Sequence, residues 1–237
     1  MFKPLSPKPK VIKNYTNKCP ISLTQTDKYC PVHPARILIT GSTALGKTNL
    51  LCNLIYDYLK WTKLYINAKD LSEPAYTTLR EACELVQYKN KNRPLDTFYH
   101  FNNLTENIVS VDELDPKERN LIVFDDFITD PKAHPKINDL FIRSRKKNAT
   151  IIYLSQSYFS VPKIVRLQCN YLIFFKIRDS REIGTIHQNY NAGLDKQTFC
   201  QVFNAATKDP YSFLLLDNCT TDDQLKVRKN LDYGLIL

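Results

Sequence analysis

The stretch Gly41-Ser42-Thr43-Ala44-Leu45-Gly46-Lys47-Thr48 fits the pattern G-x4-G-K-[ST]. Chemistry of this kind is phosphate capture: two glycines let successive backbone N–H groups close around an anion, and Lys47 adds a point charge that reaches the β and γ phosphates. The Thr48 hydroxyl is then placed to take Mg2+, and Asn49 continues into the helix whose start adds positive potential. Thus Gly41, Ser42, Thr43, Ala44, Leu45, Gly46, Lys47, Thr48 and Asn49 are the expected ATP contacts. Ala44 and Leu45 depart from the small residues or extra glycine that many such loops carry.

A phosphate loop needs a carboxylate source, and "LIVFDDF" (121–127) supplies two acids at the end of an apolar run. Asp125 is expected to hold Mg2+ through water, and Asp126 to orient and deprotonate the attacking water. The same pair could instead form a turn or helix cap after the strand. "IIYLSQS" ends another apolar run in Gln156, an amide able to sense the γ phosphate or place the water; on its own it would be a turn residue. Arg143 and Arg145, with Lys146 and Lys147, close the intervening helix. They suit the negative end of a helix dipole, and either arginine could reach a neighbouring subunit's site as an arginine finger.

These groups need a sheet to hold them. From Arg36, apolar runs and amphipathic stretches alternate: strands at "RILIT", "KLYIN" (63–67), "TFYHF" (97–101), "LIVFDDF", "ATIIYLSQS", "YLIFFK" and "YSFLLLD" (211–217). Helices are expected over 47–60, after Ser72 as a cap, over the "HPKINDLFIRSRKK" stretch, and near 179–190 and 195–205. In the second of these helices Ala75, Leu79, Ala82 and Val86 are placed on the buried face. The pattern predicts an α/β fold, a P-loop NTPase with a doubly wound, mostly parallel sheet and helices on both faces. Residues 35–217 form the expected ATPase domain. Residues 1–34, rich in Pro and Lys, read as an extended arm, and 218–237 as a tail.

Composition sets further bounds. The 237 residues carry a formal charge of +9, which suits a polyanionic partner. Lys163, Arg166, Lys176, Arg178 and Arg181 are the candidate DNA-facing cations. Seven scattered cysteines fit reduced thiols better than a disulfide framework. Cys19, Cys30 and His33 lack the close pairing of a zinc knuckle. No apolar stretch reads as a signal peptide or membrane span, so a soluble, unsecreted protein is expected.

Taken in order, "RILITGSTALGKTNLLCNLI", "LIVFDDF" and "LFIRSRKKNATIIYLSQSYFSVPKIVR" resemble the FtsK/HerA superfamily of DNA-pumping ATPases. The likeness is greatest to the genome-packaging ATPases of poxviruses, giant viruses, virophages and polinton-like elements, over about residues 35 to 216. It implies a homo-oligomeric ring, pentameric or hexameric, that drives double-stranded DNA into a capsid, docks on capsid or portal-vertex proteins, and works inside an infected cell (viral factory, cytoplasm or nucleus), with the virion as a second location. Lys47 and Thr48 match the family's nucleotide site, Asp125 its magnesium carboxylate, Asp126 its water-activating acid and Gln156 its polar sensor. Many members have Glu where this chain has Asp126, one methylene shorter, which brings the water closer to the strand end. Two other readings stand beside this one: a P-loop nucleoside or nucleotide kinase, and a nucleotide-gated DNA-binding assembly protein with little turnover.

Overall fold

The computed structural model describes residues 2–5, 29–89, 98–127 and 130–235. Most of the Pro-rich arm, Cys19 included, lies outside them. The chain divides into two compact units of interleaved sequence.

One unit spans residues 48–154, joined by a segment that ends at Arg36. Its strands are β3 (Lys63–Ala68), β4 (Phe98–Asn102), β5 (Asn120–Asp125) and β6 (Ala149–Ser155). They pair in parallel in the order β6-β5-β3-β4. β5 and β6 are buried along almost their whole lengths, as the unbroken apolar runs require of central parallel strands. Asp125 is the last residue of β5 and sits level with Leu154 and Ala68.

Helix α1 (Lys47–Asn53) is shorter than its apolar run suggests. It continues as a π turn over Leu54–Tyr58, where Leu59 N–H donates to Leu54 O at 2.7 Å. Helix α2 (Pro74–Lys89) begins at its proline, whose missing N–H costs nothing in a first turn. Ser72 is not its cap: the Ser72 N–H and hydroxyl both donate to the Asp70 carboxylate, at 2.8 and 2.6 Å. An Asx turn has captured the serine. The buried face is also set differently, on Tyr76, Leu79, Ala82 and Cys83, while Ala75 and Val86 are half-exposed. Helix α3 (His134–Arg143) tightens into a 3-10 turn over Ser144–Lys147.

The other unit joins Ile37–Lys47 to the chain from Ser155 onward and to the first residues. It contains β1 (Phe2–Pro4), β2 (Arg36–Thr40), β7 (Tyr171–Phe174), β8 (Leu214–Asp217), β9 (Val227–Lys229) and β10 (Tyr233–Leu235), in the order β1-β10-β9-β8-β7-β2. Here only β2 and β7 pair in parallel among the recorded registers; β7 through β10 and then β1 alternate in direction. Helices α4 (Lys163–Gln168), α5 (Ser180–Asn189), α6 (Lys196–Ala206) and α7 (Asp223–Lys226) complete it. Asp179 and Asp195 cap α5 and α6 through their side chains.

The C-terminal segment carries its own buried ion pair. Arg228, 1% exposed, donates to Asp217 Oδ2 at 3.0 Å and to Leu231 O at 2.9 Å. Burial raises the Asp217 carboxyl, with Arg228 and the Cys219 N–H pulling the other way. Among the described residues no helix is long and apolar enough to cross a membrane.

Candidate nucleotide site

The phosphate loop leaves β2 at Thr40, and its path is fixed from beneath. Phe175 N–H donates to Thr40 O at 2.9 Å, and Gly41 N–H donates to Ser155 O at 3.3 Å. Gly41 has φ +153°, and a Cβ there would stand 2.6 Å from the Phe175 Cβ, so no other residue fits without displacing a buried ring. Gly46 has φ +96° and faces Tyr211. Ala44 adopts φ +62°, a conformation natural to glycine. The Lys47 ammonium donates to Gly41 O at 2.7 Å and to Ser42 O at 3.0 Å. Those two bonds hold the charge over the loop itself, where a phosphate chain is expected.

Gln156 directly follows β6 and is exposed. The turn after it is built from side chains: Ser155 Oγ donates to Ser157 O at 2.9 Å, and Ser157 Oγ donates to the buried Glu182 at 2.9 Å. Glu182 also accepts from Tyr158 N–H.

In the other unit, Asp125 is half-buried and its Oδ2 accepts a hydrogen bond from the Tyr76 hydroxyl at 2.5 Å. Tyr76 is buried in α2, and burial together with Asp125 keeps its phenol protonated far above the usual range. A neutral phenol donating to a carboxylate stabilises the ionised acid and fixes its orientation. Asp125 O also accepts from Lys69 N–H at 3.3 Å. Asp126 follows with φ +55°, which turns the chain sharply at the strand end and leaves the side chain exposed. Such left-handed geometry in a non-glycine residue is uncommon and concentrates at functional sites. Asp125 and Asp126 also lie near enough to Tyr153 to add to the effect of burial in raising its phenol; its hydroxyl is buried without a hydrogen-bond partner among the described residues.

Polar support continues outward from these acids. The Asn67 side chain donates to Val123 O at 3.1 Å and accepts from Asn102 at 3.1 Å. Lys69 pairs with Asp130 at 2.8 Å and lies over the Phe127 ring. That pairing and the Thr105 hydroxyl hold the Asp130 carboxyl down at about 2.

Thr48 and Asp125 fit the way proteins hold Mg2+, which takes a hydroxyl and one carboxylate while substrate phosphates and water fill the remaining positions. The oriented, half-buried Asp125 is suited to that single-carboxylate role. No cluster of three or more His, Cys, Asp or Glu side chains suited to a metal occurs among the described residues. Cys30 is buried and in no disulfide, and both His33 ring nitrogens are engaged, with Thr150 Oγ1 at 2.8 Å and Asn148 Oδ1 at 2.9 Å.

Arg143 and Arg145 stand elsewhere in their unit. They precede the first residue of β6, beside Asn120 at the start of β5, whose side chain donates to Lys147 O at 3.0 Å. Asp125 is at the other end of β5, about 17 Å away along the strand. Neither arginine serves the Asp125 of its own chain. Arg143 is engaged by Asp112 at 2.6 Å and Asp139 at 2.9 Å, whereas Arg145 is exposed and has no ion-pair partner among the described residues. A cavity of about 500 Å³ opens between them, lined by Arg36, Val111, Ile142, Arg143, Arg145, Lys146 and Lys147.

The candidate DNA-facing cations also divide. Arg166 lies over the Tyr158 ring, 4.7 Å from its centroid, and is half-buried, a packing role. Lys163, Lys176, Arg178 and Arg181 are exposed.

Comparison with known proteins supplies the remaining context. Among curated proteins none matches the chain. The genome-packaging NTPase B204 of Sulfolobus turreted icosahedral virus 2, solved with ATP-gammaS, superposes with a TM-score of 0.54 at 14% identity, covering 84% of this chain and 98% of that one. The B204 DNA-packaging ATPase of Sulfolobus turreted icosahedral virus gives a TM-score of 0.54 at 14% identity, covering 83% and 97%. These likenesses establish the fold, the α/β architecture of P-loop NTPases, as the alternating strands and helices predict. Residues 28–231 match the family model described as Poxvirus A32 protein, which is nearly the whole of the described chain, and the protein belongs to that family.

Proposed function

We propose that this protein is a viral genome-packaging ATPase that spends ATP to translocate double-stranded DNA into a capsid. The observation that carries the reading is the family match across residues 28–231, with a complete phosphate loop and an acidic strand end inside it. The packaging roles printed for the B204 structures agree with it.

In this reading the backbone amides of Gly41–Lys47 and the Lys47 ammonium bind and orient the triphosphate. Thr48 and Asp125 would hold Mg2+, which would supply positive charge against the phosphates when bound. Tyr76 keeps Asp125 aimed through its hydroxyl. Asp126 takes a proton from the attacking water, and its turned backbone sets where that water lies relative to the strand end. Gln156 is the polar group that responds to the γ phosphate. Arg145 is the better-placed arginine finger, because a residue remote from its own Asp125 can act only across a subunit boundary, and Arg143 is held by two acids. A homo-oligomeric ring follows from that sharing. Lys163, Lys176, Arg178 and Arg181 are the cations left for the DNA backbone. Work of this kind takes place in an infected cell, beside capsid or portal-vertex proteins.

Steady-state ATP hydrolysis tests the reading, measured with and without double-stranded DNA over a range of protein concentration. Turnover is expected to rise with both, and to fall at least a hundredfold in Lys47→Ala and Asp126→Asn. Turnover indifferent to DNA and to concentration would sink the motor, and phosphate transfer to added nucleosides would replace it with a kinase. Tight ATP binding with DNA association and no turnover would point to an assembly protein.

A further inference from the structure

We propose that Tyr211 is the base platform of the nucleotide site, a ring on which the purine of the bound nucleotide stacks. The inference rests on the nucleotide reading above and adds to it the residue that holds the base.

The turn Asp209-Pro210-Tyr211-Ser212 closes with Ser212 N–H donating to Asp209 O at 3.2 Å. Proline in its second position and a positive φ in its third describe a turn that calls for Gly or Asn there. This chain places a tyrosine at that third position, with φ +62°. The strain is not relieved by burial. Tyr211 is 68% exposed, the most exposed large apolar side chain among the described residues, although Ser212 and Phe213 beside it are buried.

The loop that presents Tyr211 is firmly built. Ser212 Oγ donates to Asp209 O at 2.7 Å, Lys229 pairs with the Asp209 carboxylate, and Phe213 and Asn230 exchange hydrogen bonds. The Phe213 ring packs on Phe175 at 5.4 Å between centroids, and Phe175 is the ring that supports Gly41. Tyr211 itself lies against the phosphate loop: a Cβ on Gly46 would come within 3.2 Å of Tyr211 Cδ1. An aromatic ring held in a costly conformation, left open to solvent and set beside the residue that precedes Lys47, is where a nucleoside joined to a captured phosphate chain would meet it. Observed strain is a pointer to function when the surroundings hold it in place, as they do here. Stacking also accounts for the choice of residue, since any purine offers a π face and no hydrogen-bond code is required.

The test compares binding of ATP and of inorganic tripolyphosphate, each with Mg2+, by wild type, Tyr211→Phe, Tyr211→Ala and Tyr211→Gly. Thermal melting is followed in parallel. The expected result is that Tyr211→Ala and Tyr211→Gly bind ATP about tenfold more weakly, that Tyr211→Phe binds as wild type does, and that tripolyphosphate binding is the same in all four. Tyr211→Gly is also expected to melt no lower than wild type, because glycine suits the turn. ATP binding unchanged in the glycine variant would overturn the platform. So would an equal loss of ATP and tripolyphosphate, which would make Tyr211 a prop for the loop. If wild type captures tripolyphosphate yet gains nothing from the nucleoside, the platform alone fails; if it captures neither ligand, the nucleotide reading fails and the platform falls with it.

Discussion

The phosphate loop and the acidic strand end are two solutions to the same problem of placing charge. The loop does it with backbone: amides and carbonyls of Gly41–Lys47 define the cradle, and Lys47 is held by two carbonyls of that same loop. The strand end does it with side chains. Asp125 is aimed by a tyrosine from α2, and an asparagine pair and the Lys69–Asp130 bond support the same strand ends. A backbone device is encoded in a few consecutive letters, whereas a side-chain device is spread across the chain and depends on the fold to assemble it.

The comparison can be broken most directly at Tyr76. Tyr76→Phe keeps the ring in the core and removes only the hydrogen bond to Asp125. With hydrogen bonds to charged groups worth about 1.5–3 kcal/mol, turnover is expected to fall tenfold or more and the Mg2+ half-saturation point to rise, with metal-free nucleotide binding unchanged. Wild-type turnover in that variant would mean that the strand end orients its acid without side-chain help. A smaller effect is expected in the loop. Ala44→Gly removes a left-handed alanine, so the melting temperature should rise by about 1–3 °C, in keeping with a gain near 0.5–1 kcal/mol. A fall would show that the Ala44 methyl is packed and that the loop is not a purely backbone structure.

The weakest effect concerns protonation, to which side-chain devices are open and backbone devices are not. Burial lowers the His33 pKa, against the pull of its Asn148 bond. The folded protein therefore binds its proton less readily than the unfolded chain, so His33 contributes stability above about pH 6.5 that is lost as pH falls below it. His33 is only partly buried, so solvent screens the effect and keeps the loss small. Melting at pH 7.5 and 5.5 should show a drop that is smaller in His33→Gln; equal drops would place the sensitivity elsewhere.

The same contrast explains what was legible in the sequence. Spacing of Gly41, Gly46, Lys47 and Thr48 announces the loop because glycine placement is the structure. Apolar runs ending in Asp125 and Gln156 announce the strands, since a buried parallel strand must be apolar until it reaches the sheet's end. Tyr76 is not announced: it lies 49 residues from its partner, and on a helical wheel it passes for an ordinary aromatic. Ser72 has the composition of a cap, and local competition from Asp70 decides otherwise. Strands β1, β9 and β10 hold three residues each, too few for a period to register. Tyr211 has a readable signal, a tyrosine directly after Asp-Pro where a turn favours glycine, but only the backbone angle reveals its cost.

The pairing of Phe2–Pro4 with Tyr233–Leu235 also bears on the order in which the molecule can be completed. Residues 2–4 have partners made more than two hundred codons later, the costliest kind of contact to close. The unit that holds Asp125 and Tyr76 has all its strands once synthesis passes residue 154, and domains tend to fold in the order in which they emerge. The unit that holds the phosphate loop draws on three separate stretches and must wait for the last. A nascent chain of this protein therefore completes the unit of Asp125 early and that of the Gly41–Lys47 loop late, so a ribosome-bound intermediate would be slow to consume ATP before both are whole.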